Sequence, residues 1–239
     1  DIPSFSRFAE WLWEVLAEET NELASLIDKG EQKKFSEKIN SRLKNFFLPL
    51  EIYGGVAGNK YCICLGANSY SYQGLRPVLK MLADTANRED SPLSAAGWTV
   101  FSYFPKGIYK PSLRPDYFKK PPRIFFSEEA ETGAAEIVFY EKDAESWSPK
   151  KTALRKKALY GYLCHYVGEN VLLAGSASIA VTEKFPADKR EVTAEELAEL
   201  IERRAEDIYE GEIPFPAPLY LRADESEIEL SLIHISEPT

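Results

Sequence analysis

Pro105–Arg123 reads PKGIYKPSLRPDYFKKPPR, and its reading decides the architecture. Pro105, Pro111, Pro115, Pro121 and Pro122 bar both a helix interior and a central strand. Lys106, Lys110, Arg114, Lys119, Lys120 and Arg123 stand against a single acid, Asp116. The stretch is therefore an extended basic connector over residues 105–122. The same order of elements is expected on each side of it.

On the N-terminal side, residues 48–104 form a first β-β-α-β repeat. Leu48–Tyr53 and Lys60–Gly66 are the strands of a hairpin, with the turn expected at Gly54–Asn59. Alternation in the second strand places Tyr61, Ile63 and Leu65 on one face, and Cys62 and Cys64 on the other. Leu75, Val78, Leu79, Leu82 and Ala86 define a helix, with Pro77 tolerated in its first turn. Trp98–Phe104 is the closing strand. On the C-terminal side, residues 123–210 repeat the order. Arg123–Phe126 and Glu136–Tyr140 form a hairpin around Gly133. Ser148-Pro149 opens a helix as N-cap and first helical residue. Leu159, Leu163, Tyr166 and Val167 are its buried face, and Gly168 ends it. Val171–Thr182 follows as a strand. Thr193-Ala194-Glu195-Glu196 is a capping box that starts a last helix with Leu197, Leu200, Ile201 and Ile208 inside.

Residues 1–47 precede both repeats as a helical hairpin. Phe8, Leu12, Val15, Leu16, Leu23, Leu26 and Ile27 mark one helix. Gly30 stops it, and Phe35, Ile39, Leu43 and Phe46 mark the next. Residues 211–229 form an extended tail, where three prolines in Ile213–Arg222 favour an edge strand at most. The fold class is α+β, with antiparallel sheets carrying helices on one side.

Charge and composition narrow the function classes. The 239 residues carry a formal net charge of −9. An acidic chain does not attract nucleic-acid phosphates overall, and it suits a basic partner. Three cysteines, two of them on one strand, do not make a disulfide framework, which fits a reducing, cytoplasmic setting. No apolar run approaches the roughly 20 residues of a membrane span.

No catalytic or cofactor constellation assembles from the residue types. Cys62, Cys64, Cys164 and His165 supply the right count for a Cys3His zinc site. Their spacing argues against it, since structural sites bring ligands as turn-borne pairs. At about 100° per residue, His165 points roughly 145° from the centre of the buried helix face, and Cys164 roughly 115° on the other side. Adjacent helical residues do not converge on one ion. They do not make a Cys–His catalytic pair either, which needs contact across space and a third, orienting group. Gly54–Gly58 is glycine-rich but lacks the Lys-Ser/Thr of a phosphate loop and precedes no helix. Glu169 is the one carboxylate at a marked place, a helix exit, where the simplest role is bonding nearby backbone N–H groups. No catalytic residue, metal ligand or cofactor is therefore assigned.

Two surfaces remain as candidates for partner binding. In the connector, Tyr109, Lys110, Arg114, Tyr117, Phe118, Lys119 and Lys120 alternate cations with aromatic rings. That pattern suits stacking or docking, although a plain tether is the simpler reading. On the last helix, Glu195, Glu199 and Glu202 belong to an acidic run whose simplest reading is a solvated face.

Leu93–Pro105 (LSAAGWTVFSYFP) and Tyr160–Glu169 (YGYLCHYVGE) together resemble a group of bacterial two-repeat α+β proteins that carry no assigned activity. That group pairs a Leu…Trp…Phe-x-Pro strand with a Leu-Gly-Glu helix exit, and Val167 stands here in place of the leucine of the helix exit. The resemblance covers residues 8 to 208 and implies no catalytic position. Leu230–Thr239 (LSLIHISEPT) resembles a translated sequencing-adapter scar, so a gene fragment with authentic residues from Asp1 to Glu229 is expected. That would leave His165 as the single authentic histidine and a net charge of −8, since the scar carries Glu237 and no Lys or Arg.

The expectation is a non-enzymatic cytoplasmic bacterial protein of unknown specificity that binds another macromolecule, a protein rather than a nucleic acid. One concrete form is an immunity- or inhibitor-type protein that masks a basic partner. The alternative is an enzyme or small-ligand binder with a pocket between the repeats.

Overall fold

The computed structural model describes residues 2–44, 50–66, 75–108, 120–128, 135–175 and 178–209. They form an α+β protein in two compact units. The first is drawn from Asp1–Lys119 and Tyr160–Asn170, the second from Lys120–Leu159 and Val171–Thr239.

The first unit opens with three helices, α1 (Ile2–Glu18), α2 (Thr20–Asp28) and α3 (Gln32–Leu43). The single helix expected up to Gly30 breaks at Glu19. There Thr20 Oγ1 donates to Ala17 O at 2.9 Å, a side-chain bond that competes with the helical ladder. Gly30 does stop α2, at φ 69°. The N–H groups of Gly30 and Glu31 close onto Ile27 O and Leu26 O, the two bonds of a Schellman motif. Glu22 then pairs with Lys38 at 2.9 Å, and Glu19 with Arg42 at 2.6 Å. That order makes α2 and α3 antiparallel.

Strands β1 (Glu51–Ala57) and β2 (Lys60–Gly66) form an antiparallel hairpin whose turn is Gly58-Asn59. The wider turn expected at Gly54–Asn59 is thus corrected, because Gly54 and Gly55 are strand residues opposite Ile63 and Cys62. They are glycines for lack of space. A Cβ on Gly54 would lie 2.7 Å from both Ile27 and Phe35, and one on Gly55 would lie 2.8 Å from Ile108.

Helices α4 (Arg76–Ala86) and α5 (Pro92–Ala95) lead to β3 (Trp98–Phe101), which pairs parallel with β2. A strand–helix–strand crossover imposes that direction, so the sheet is mixed rather than wholly antiparallel. Tyr61, Ile63 and Leu65 face the helices, as alternation requires. Phe35, Ile39, Leu12, Leu16, Leu79 and Leu82 complete this core, all fully buried. Burial stabilises each such side chain by roughly 1.5–3 kcal/mol. Trp13 also buries its ring and donates Nε1–H to Leu82 O at 2.9 Å.

Amide side chains cover the outer backbone of this sheet. Asn40 bonds both backbone groups of Leu50, at 2.8 and 3.0 Å. Gln32 does the same at Gly54, at 2.6 and 3.0 Å. Asn87 repeats it at Val100 on β3, at 2.7 and 2.9 Å. Each amide stands in for a neighbouring strand where an open edge would invite pairing.

The second unit repeats the plan. β4 (Arg123–Glu128) and β5 (Ala135–Tyr140) are antiparallel, and β6 (Ser178–Thr182) closes parallel to β5. Helix α6 (Pro149–Val167) lies between them in sequence. The strand expected over Val171–Thr182 is corrected. Glu169–Gly175 is a further helix, α7, and among the described residues of that stretch only Ser178–Thr182 is extended. A strand not anticipated, β7 (Arg190–Val192), pairs with β4 and gives the order β6-β5-β4-β7. Its three residues are too few to show alternation. The capping box at α8 (Ala194–Tyr209) forms as its spacing predicts. Glu196 N–H donates to Thr193 Oγ1 at 3.1 Å, and Thr193 N–H donates to Glu196 Oε2 at 2.8 Å. The hairpin turn around Gly133, the tail at Ile213–Arg222 and the Leu230–Thr239 stretch lie outside the described residues.

Gly54→Ala is expected to lower unfolding free energy by about 1–3 kcal/mol through overpacking. Denaturant titration checks this. A loss under about 0.5 kcal/mol would show that Ile27 and Phe35 yield without cost.

Candidate functional site

Helix α8 presents the acidic candidate. Ala194, Leu197, Ala198, Ile201 and Ala205 form its buried face. At about 100° per residue, Glu195, Glu199, Glu202 and Glu206 fall within about 60° on one flank. Glu195, Glu199 and Glu206 are exposed, and Glu202 is half-buried. Like charges three or four residues apart each cost a helix roughly 0.2–0.5 kcal/mol. Glu195 is partly favoured by the positive helix N-terminus. Glu199 and Glu206 lie beyond that first turn and lack this benefit.

The other flank of α8 borders a groove of about 350 Å³, floored by Phe126, Leu200 and Ile208. Its charges largely answer one another, since Arg204 is paired with Glu128 and Arg203 and Asp207 both line it.

The connector candidate is mostly outside the described residues. That holds for Tyr109, Lys110, Arg114, Tyr117, Phe118 and Lys119, while Lys120 is exposed. Arg123 starts β4 and is engaged within its own unit. It bonds Glu191 at 2.7 and 2.8 Å. Its guanidinium lies 5.2–5.4 Å from the ring centres of Phe125, Tyr140 and Phe185. The Arg123 bond holds the Glu191 carboxyl below its usual range.

The first unit holds a buried polar cluster centred on Glu169, which is 2% exposed. Gly168, at φ 87°, turns the chain out of α6 and aims Glu169 inward. The bonding to nearby backbone N–H groups expected of Glu169 at a helix exit is corrected, because its acceptor oxygen is used at long range. Its Oε2 accepts the N–H of Phe104, 65 residues away, at 2.8 Å. Its own N–H donates to Phe104 O at 2.8 Å. Tyr160 Oη–H donates to Oε1 at 3.4 Å. Arg76, itself 3% exposed, adds positive charge and donates Nη2–H to Asn170 Oδ1 at 3.0 Å. Burial dominates and raises the Glu169 carboxyl to about 7, against the opposing pull of the Phe104 N–H, Arg76 and Tyr160.

All three cysteines are buried free thiols. Burial pushes the Cys64 and Cys164 thiols well above their usual range, reinforced at Cys64 mainly by Cys62 and at Cys164 by the Glu169 charge. A hydrogen bond from Cys64 holds Cys62 down. The exposed flank expected for Cys164 and His165 is corrected. Cys164 is fully buried and His165 half-buried, because α6 is enclosed on nearly every side from Ala158 onward rather than on one stripe. His165 packs edge-on against Tyr166, with ring centres 5.0 Å apart. Its carbonyl accepts Gly107 N–H at 2.8 Å. Among the described residues no group of three or more His, Cys, Asp or Glu is arranged to hold a metal ion.

A carboxyl that titrates near neutrality is a proton donor or acceptor by its chemistry. Neither the α8 groove nor the smaller groove of about 170 Å³ beside Trp13 and Arg88 is lined by Glu169. Its contacts are those of a structural joint. Sequence reasoning singled out Glu169 but missed Arg76, Phe104, Tyr160 and Asn170. Arg76 stands one residue before Pro77 in a region read only for apolar spacing, and Phe104 contributes through its backbone.

Comparison with known proteins found no matching family model, no matching curated protein and no matching solved structure.

Two outcomes are expected. Glu169→Ala strips the buried Phe104 N–H of its acceptor, and is expected to cost about 1–3 kcal/mol by chemical denaturation. The native chain is expected to react with a small disulfide reagent at least roughly a hundredfold more slowly than the unfolded chain. Fast native labelling would contradict the enclosure of the three thiols.

Proposed function

We propose that this chain is a non-enzymatic binding protein whose partner is another protein with a basic surface. The observation that carries the reading is the acidic flank of α8. Glu195, Glu199 and Glu206 are solvent-exposed on one side of the helix, with Glu202 half-buried among them. The net charge of −9 has the same sign and would steer a basic partner towards the chain. An immunity- or inhibitor-type protein is one concrete form of this activity.

The candidate set is narrowed to Glu195, Glu199 and Glu202, with Lys120 the one described residue of the connector set. No helix among the described residues is long and apolar enough to cross a membrane. An overall acidic chain also disfavours a nucleic-acid partner.

Affinity capture from a bacterial lysate tests the reading, with wild type compared against the double variant Glu195→Lys/Glu199→Lys. The expected result is a basic protein held by wild type at low salt and bound at least tenfold more weakly by the variant. Equal retention by both, or retention of nucleic acid alone, would overturn it.

A further inference from the structure

The joint around Glu169 has a property separate from partner binding. Three hydrogen bonds tie the segment after β3 to the end of α6 and the start of α7. They run from Phe104 N–H to Glu169 Oε2, from Glu169 N–H to Phe104 O, and from Gly107 N–H to His165 O, each at 2.8 Å. Close packing reinforces them. A Cβ on Gly168 would lie 3.3 Å from Lys106 N, and one on Gly66 would strike the Phe104 ring. One of the three bonds uses a titratable acceptor, and that acceptor is buried.

We propose that Glu169 and the Phe104–Ile108 segment form a proton-sensitive latch, tightest in mild acid, that fastens Tyr160–Asn170 within the first unit. The groups that face Glu169 come from four places. The Phe104 N–H and Tyr160 of α6 bond its carboxyl, and Arg76 of α4, Cys64 of β2 and Cys164 of α6 couple to it electrostatically. Arg76 is the buried cation of the group, and the acid is the partner that titrates.

The direction follows from linkage. The closed latch raises the carboxyl from its ordinary 4.5 to about 7. A state that raises a carboxyl binds its proton more tightly than the open state does. Its extra stability is complete below about 4.5, falls as pH rises towards 7, and is absent above that.

Amide hydrogen exchange on the full chain tests this at Phe104, Gly107 and Glu169. Protection, corrected for intrinsic exchange, is expected to fall by roughly 50-fold from pH 5 to pH 8 in wild type. It should stay nearly constant in Glu169→Gln and at Leu197 of α8. Identical profiles in wild type and Glu169→Gln would overturn the proposal. So would loss of the pH response in His165→Gln, which would place the proton on the imidazole. If Glu169→Gln fails to fold, direct titration of the wild-type carboxyls decides. A buried carboxyl titrating near 7 supports the latch, and ionisation of every carboxyl below 5 refutes it.

Discussion

The first unit depends on a carboxylate that reaches across 65 positions of sequence to hold one backbone N–H. Glu169 and Phe104 exchange two hydrogen bonds, one through the side chain and one through the backbone. A buried N–H without an acceptor costs about 1–3 kcal/mol, and a buried guanidinium without a counter-charge costs more. Glu169 meets the first need, and the Arg76 charge acts on the same carboxyl. The rest of the arrangement follows from that requirement. Gly168 must take a left-handed conformation to turn Glu169 inward. Cys64 and Cys164 lie near enough for the Glu169 charge to raise their thiols. Tyr160 must bring its hydroxyl to the second oxygen.

A related economy shapes the sheet of the first unit. Asn40, Gln32 and Asn87 each pair with both backbone groups of one residue, at Leu50, Gly54 and Val100. A strand added at those positions would have to displace two bonds each time. Strand addition is thereby discouraged on this sheet, which leaves side-chain surfaces as the places for a partner. The acidic flank of α8 is such a surface, and it lies in the second unit.

Much of the fold was legible because it rests on periodicity and turn chemistry. Tyr61, Ile63 and Leu65 alternate, and they line the core. Thr193 and Glu196 stand three apart, and they cap α8. Gly30 and Gly168 end helices at positive φ. What escaped notice rests on space or on long-range contact. Gly54 and Gly55 look like turn residues, yet they are strand residues pressed by Phe35, Ile27 and Ile108. Val171–Gly175 is apolar enough for a strand, but continues from α6 as a second helix. The candidate site divides the same way. Acidic spacing on α8 is visible in one dimension. The convergence of Arg76, Phe104, Tyr160 and Asn170 on one point requires the folded chain, because their separations carry no pattern.

A double-mutant cycle between Glu169 and Arg76 tests the account most directly. Stability would be measured by denaturant unfolding for wild type, Glu169→Gln, Arg76→Met and the pair. A coupling energy of about 1–3 kcal/mol is expected, with the double variant losing less than the two single losses added. Additive losses, with coupling under about 0.3 kcal/mol, would contradict it. They would show that the buried acid and the buried cation are held independently.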